Sequence, residues 1–171
     1  MADFGKYFAS TNAITGSASA QNLVSIENPI DSTTNLLIHK LDVRGVLTGN
    51  SNVLFNYHCS RTSGLPSGGT VGASIKQRST DADPNGTIRQ APTGSLIAGQ
   101  VWSTMPPVPI VVGSLLVGIT AGPDFLEPIF DAASEEDSII LAPGEGLMVT
   151  VDGNATTWRH RVRILWSESL V

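Results

Sequence analysis

From Leu23 onward the chain alternates short apolar runs with turn residues, and the period of those runs is two, which predicts strand after strand. Residues 23–26 form a short run that stops at the turn signal Asn28-Pro29. Residues 35–47 form a longer one, whose second half places Leu41 and Val43 on one face and Lys40, Asp42 and Arg44 on the other. Gly49-Asn50 then turns the chain into residues 52–59, where Val53, Phe55 and Tyr57 share a face. After a Gly- and Ser-rich loop over 63–69, residues 71–78 read as another strand. The last third is the clearest: strands over 138–141, 147–151 and 156–167, with Asp152-Gly153-Asn154 predicting a hairpin between the last two. In the final strand Trp158, His160, Val162, Ile164 and Trp166 face one way, and Arg159, Arg161, Arg163 and Leu165 the other.

Two stretches depart from this rhythm. Residues 1–20 are rich in Ala, Ser, Thr, Asn and Gly, and they read as a non-regular N-terminal arm ahead of a domain spanning 21–171. Phe4, Tyr7 and Phe8 in that arm favour docking on a neighbour, because a free tail has little use for aromatics. Residues 79–109 read as a long irregular region carrying Asp83-Pro84-Asn85-Gly86, Ala91-Pro92 and Met105-Pro106-Pro107-Val108-Pro109, and connections this long often carry function. Residues 110–120 have the composition of a buried strand. Residues 124–137 are acidic without one basic residue, as in a solvated loop or a surface aimed at a basic neighbour. Roughly eight strands and no helix longer than two turns predict an all-β, single-domain antiparallel sandwich, jelly-roll-like in its long connections.

Composition adds a partner to the picture. Of 171 residues, 41% are hydrophobic and only 15% charged, against about 25% charged in ordinary soluble domains. A surface so thinly charged is expected to be covered in part by other chains. The net charge of −5 argues against nucleic acid or an anionic membrane as partner, since both require basic surface. One cysteine, Cys59, cannot form an internal disulfide. The first residues lack the basic and apolar regions of a signal peptide, so synthesis and assembly in a cytoplasm are expected.

A search for reactive chemistry returns little. Asp81-Ala82-Asp83-Pro84-Asn85-Gly86 opens like a calcium loop, but position nine is Arg89 and position twelve Pro92 where oxygen ligands are required. A turn is the better reading. His58-Cys59 would be a thiol beside a base, yet neighbours in a strand point to opposite faces. The three histidines, His39, His58 and His160, sit in three separate strands without metal-ligand spacing. Acidic pairs in 124–137 could serve glycoside hydrolysis, but 6% aromatic content leaves few platforms for a sugar. Gly68-Gly69 has no following Lys-Ser/Thr to cradle phosphate. No cofactor or metal is therefore expected. Arg159, Arg161 and Arg163 form a row on one strand face, open to two readings: a plain solvent face or a subunit contact, with nucleic acid a distant third.

The C-terminal run from Ile139-Ile140-Leu141-Ala142-Pro143-Gly144-Glu145-Gly146 to Leu147-Met148-Val149-Thr150-Val151, then Trp158-Arg159 and Ile164-Leu165-Trp166-Ser167-Glu168, resembles the closing strands of small virion proteins of tailed bacteriophages. Asn28-Pro29 and the run from Asn35 to Val43 are similar to their opening strands. The resemblance covers about half of the chain, and its Pro-Gly-Glu motif recurs in many jelly rolls. It implies a structural role in the virion: a capsid decoration or cement protein, a homotrimer bound to the major capsid protein, without catalytic residues. Contacts are then expected from Phe4, Tyr7, Phe8, Met105, Pro106, Pro107, Arg159, Arg161 and Arg163. A tail or receptor-binding protein is the first alternative, and a carbohydrate-active or metal-dependent enzyme on the same scaffold the second.

Overall fold

A computed structural model describes residues 5–48, 56–63, 66–94, 97–104, 124–152 and 156–171. Its strands are β1 Lys6–Ser10, β2 Ile14–Thr15, β3 Gln21–Glu27, β4 Thr34–Leu47, β5 Tyr57–Ser63, β6 Thr70–Val71, β7 Ile75–Lys76, β8 Thr87–Gln90, β9 Ile97–Thr104, β10 Asp124–Asp131, β11 Ile139–Leu141, β12 Glu145–Val151 and β13 Trp158–Leu170. They form two antiparallel sheets. Sheet A runs β10-β4-β13-β1-β7, with β11 continuing the β10 edge along β4 and β2 continuing the β1 edge along β13; sheet B runs β6-β8-β3-β12-β5-β9.

When β1 and β2 are counted as one interrupted strand, β10 and β11 as another, and the short β6, β7 and β8 are set aside, eight principal strands remain. Strands one, eight, three and six make sheet A, and two, seven, four and five make sheet B. Consecutive strands thus alternate between sheets except at β5 and β9, which is jelly-roll connectivity. The all-β sandwich is as the sequence pattern predicts. The hairpin expected at Asp152 is not there: β12 pairs with β3 and β5 while β13 pairs with β4, β1 and β2, so this connection crosses from one sheet to the other.

The N-terminal segment is not an arm. β1 lies against β13 from Lys6↔Ser167 to Ser10↔Arg163, and β2 adds Arg159↔Thr15 and His160↔Ile14. Tyr7, Ala9 and Ile14 are core residues. The domain therefore begins within the first ten residues instead of at 21. Residues 71–78 are likewise not one strand but two short ones in different sheets, β6 on β8 and β7 on β1. The region 79–109, expected to be irregular, contains β8 and β9. The acidic stretch is mostly the edge strand β10, with only a 3-10 turn at Glu135–Asp137 beyond it.

Between the sheets, Trp158, Trp166, Tyr7 and Tyr57 are the bulkiest fully buried side chains, packed with Leu23, Ile26, Leu36, Ile38, Leu41, Ile139 and Leu141. β13 keeps strict alternation from Trp158 to Trp166, whereas β4 buries Leu36 and Ile38 and then Leu41 and Val43. The difference is absorbed where Leu165↔Lys40 is followed by Trp166↔Ile38, which leaves His39 as the extra residue of a bulge.

Candidate functional site

Because Trp158, His160, Val162 and Ile164 point into the core, the pleat sends Arg159, Arg161 and Arg163 to the outer face of sheet A. On β4 the residues opposite are Val46, Arg44 and Asp42 in that order. Arg163 is satisfied within the chain: its Nε and Nη2 donate to the two carboxylate oxygens of Asp42 at 2.8 and 2.9 Å, a bidentate pair over a carboxylate that is only 2% exposed. Its neighbours differ. Arg161 sits directly across from Arg44, an arrangement of like charges that is unfavourable in an antiparallel pair. Arg159 reaches the carbonyl of Thr156, at 3.5 Å. Arg44, Arg159 and Arg161 surround a groove of about 290 Å³ whose remaining lining is Ala13 and Val46. Guanidinium forks around a partly apolar floor suit an oxyanion, carboxylate or phosphate, carried on an apolar stem.

Of the other expected contacts, Tyr7 is excluded. It is 0% exposed, its ring lies 5.6 Å from that of Trp166, and its hydroxyl donates to the Ala82 carbonyl. Phe8, one residue on, faces outward and is half-buried, between Leu165 on β13 and the 60%-exposed Ile75 on β7. Those three make an apolar strip on the same face as the arginines. Phe4 and Met105-Pro106-Pro107 lie outside the described residues, as do the expected strand over 110–120 and Val53 and Phe55.

The calcium-like loop is held as a turn by side chains. Lys76 Nζ pairs with Asp83 at 2.7 Å and donates to the Asp81 carbonyl, so a cation of the chain already stands there. Asn85 belongs to a different contact. The carboxylate of Glu168, 3% exposed, accepts bonds from Asn85 N (2.7 Å), Asn85 Nδ2 (2.9 Å), Gly86 N (3.2 Å) and Thr34 Oγ1 (3.3 Å). This carboxylate staples the long connection onto β13.

His58 and Cys59 do diverge. Cys59 is fully buried and its thiol is pushed up to about 12 by burial, while half-buried His58 meets Asp152 at 3.0 Å. His160 is buried beside Trp158, bonded to the Tyr57 hydroxyl at 2.8 Å, and burial lowers it to about 4. The bulge at His39 creates a contact that sequence reasoning misses: Nδ1 meets Ser138 Oγ at 2.8 Å and Nε2 meets Ser167 Oγ at 2.7 Å. A hydroxyl on an imidazole is the first half of a nucleophilic dyad. Ser167 is 7% exposed and sits in the sheet away from solvent, while Ser138 is half-buried. Only the bulge in β4 could have announced this cluster, and a bulge has no signature in a single sequence.

Compared with known protein families, curated proteins and solved structures, the chain matches none.

Proposed function

We propose that this chain is a structural subunit of a virus particle, a capsid decoration protein that binds the phage head and copies of itself through subunit contacts. The observation that carries the reading is the outer face of sheet A. There Arg44, Arg159 and Arg161 crowd one groove, and Phe8, Leu165 and Ile75 form an apolar strip below it. A cluster of arginines on one face offers positive charge to a partner, and an apolar strip on a surface marks a site of association. Both make sense on a face that another chain covers. Two groups with chemical reactivity, Cys59 and His160, are sealed in the core, in keeping with this reading.

Mixing purified protein with undecorated capsids and sedimenting them tests the proposal. Stoichiometric co-sedimentation at micromolar protein, with capsids that withstand more heat when decorated, is the expected result. Absence of binding at that concentration overturns the decoration reading and moves the weight to a tail component.

A further inference from the structure

The chain carries its own complement to the arginine groove. Between β10 and β11 lies an acidic turn in which Glu136 and Asp137 are exposed. Ser134 Oγ donates to Asp137 at 2.8 Å and fixes the shape of the turn. Three residues past Asp137, Ile140 stands 52% exposed between the buried Ile139 and Leu141, on the outer side of sheet A. The turn therefore offers two carboxylates beside an aliphatic side chain, and the groove offers guanidinium forks beside Val46 and Ala13. Signs and apolar parts both match.

The turn cannot reach the groove of its own molecule. It is pinned at both ends, by Asp131 opposite Lys40 and by Ile139 opposite Ile38. The groove lies at Arg44 and Val46, and six residues of strand separate Lys40 from Val46, about 20 Å. Contact between the two requires another chain.

We infer that the arginine groove binds the acidic turn of a second copy of this chain. Glu136 and Asp137 enter between Arg159 and Arg161, with Ile140 against Val46. The alternatives fit less well. An extended polyanion such as nucleic acid would be repelled by a molecule whose net charge is −5, whereas one short acidic turn meets only the groove. Groove and turn are different surfaces, so copies join either reciprocally in a dimer or head to tail in a closed ring. The inference deepens the subunit-binding reading above. It is measured on the protein alone, so a failure here and a failure to bind capsids are separate results.

The experiment is light scattering and sedimentation velocity on the full chain over a concentration series, at about 0.05 M and about 0.5 M salt. Four proteins are compared: wild type, Arg161→Glu, Glu136→Arg and the double charge swap. Wild type should associate with rising concentration, and less at high salt. Each single substitution should weaken association at least about tenfold, and the swap should restore it. Both positions are exposed, and the carboxylate introduced by Arg161→Glu would face Arg44, so the unfolding midpoint of the single variants should equal or exceed that of wild type. That control separates lost contact from lost fold. Single variants that associate like wild type overturn the inference. So does a wild type that stays monomeric while retaining inorganic phosphate in a manner lost on Arg161→Glu, because the groove would then be an anion site.

Discussion

Replacing Glu27 with Gln should stabilise the protein more at pH 8 than at pH 5. Glu27 lies on β3, opposite Gly146 on β12 and Thr87 on β8, with its side chain 0% exposed. Neither carboxylate oxygen has a hydrogen-bond donor, and the nearest charge, Arg89 Nε, stands 3.9 Å away, itself without an acceptor. Loss of hydration raises the carboxyl from its ordinary 4.5 to about 7, against a smaller opposite pull from Arg89. Below pH 4.5 the group is protonated in both folded and unfolded chains and its ionisation has no effect. As pH rises from 4.5 through 7, the unfolded chain ionises first, and folding loses about 1.4 kcal/mol per pH unit. Above 7 the full penalty, at most about 3 kcal/mol, is in place.

Glutamine keeps the shape and cannot ionise. Whatever its amide costs in the same place, that cost does not change between the two pH values. The quantity to measure is the stability difference between Glu27→Gln and wild type at pH 8, minus the same difference at pH 5, for which about 2–3 kcal/mol is expected. Urea unfolding followed by the fluorescence of the buried Trp158 and Trp166 gives it, with equal slopes in denaturant as the check that both states stay comparable. Wild type alone would conceal the effect. His160, lowered to about 4 by burial, acts in the opposite sense, stabilising as pH rises from 4 toward 6.5. Between pH 4.5 and 6.5 the two slopes cancel, and only the difference between variants exposes either one. An offset identical at both pH values, or larger at pH 5, would refute the assignment of a buried unpaired carboxylate.

Substitution of His160 by Gln should remove up to about 3 kcal/mol of acid destabilisation between pH 6.5 and 4 and so unmask the Glu27 slope, stability now falling as pH rises from 4.5 through 7, read by the same unfolding series. Tyr7→Ala should cost about 3–5 kcal/mol, as expected for a large core aromatic; a loss below about 1 kcal/mol would return residues 1–20 to the status of an arm. Glu168→Ala strands four donors at the root of the long connection and should cost about 3 kcal/mol, with limited proteolysis now cutting near Asp83 while wild type resists. Cys59 should react with a thiol reagent only at the rate of global unfolding, since its thiol sits at about 12 and fully buried; rapid labelling of native protein would contradict that burial.

The strands with long apolar sides are legible in the sequence because their alternation persists over many residues. β13 runs from Trp158 to Trp166 without a break, and β4 shows Leu41 and Val43 against Lys40, Asp42 and Arg44. β1 escapes such a reading for a physical reason: its inward residues are Tyr7 and Ala9, and an alanine in a Ser/Ala/Thr segment gives no contrast although it is 4% exposed. β6 and β7 merge into one expected strand because a two-residue strand has no period. The false hairpin at Asp152 has another cause. Turn chemistry reports a reversal of direction, and a chain that reverses between two stacked sheets uses the same residues as one that reverses within a sheet. Sheet membership is decided by pairing with distant strands, and that is absent from any local window.

The arginine row has two readings in the sequence, solvent face or subunit contact, and the register divides it. A row on a solvent face would find its carboxylates across the strand at every step. β4 supplies one such step, Asp42 beneath Arg163, and then presents Arg44 to Arg161 and Val46 to Arg159. Two of the ten basic residues thus stand face to face on one side of β4, while on its other side Asp124 of β10 lies opposite Val46. Glu136 and Asp137 stand elsewhere, beyond the bulge at His39, on a turn pinned too far away to reach the groove of its own molecule. The lone molecule keeps Glu136 and Asp137 about 20 Å from the arginine groove, and association of two copies is the simplest arrangement that brings them together.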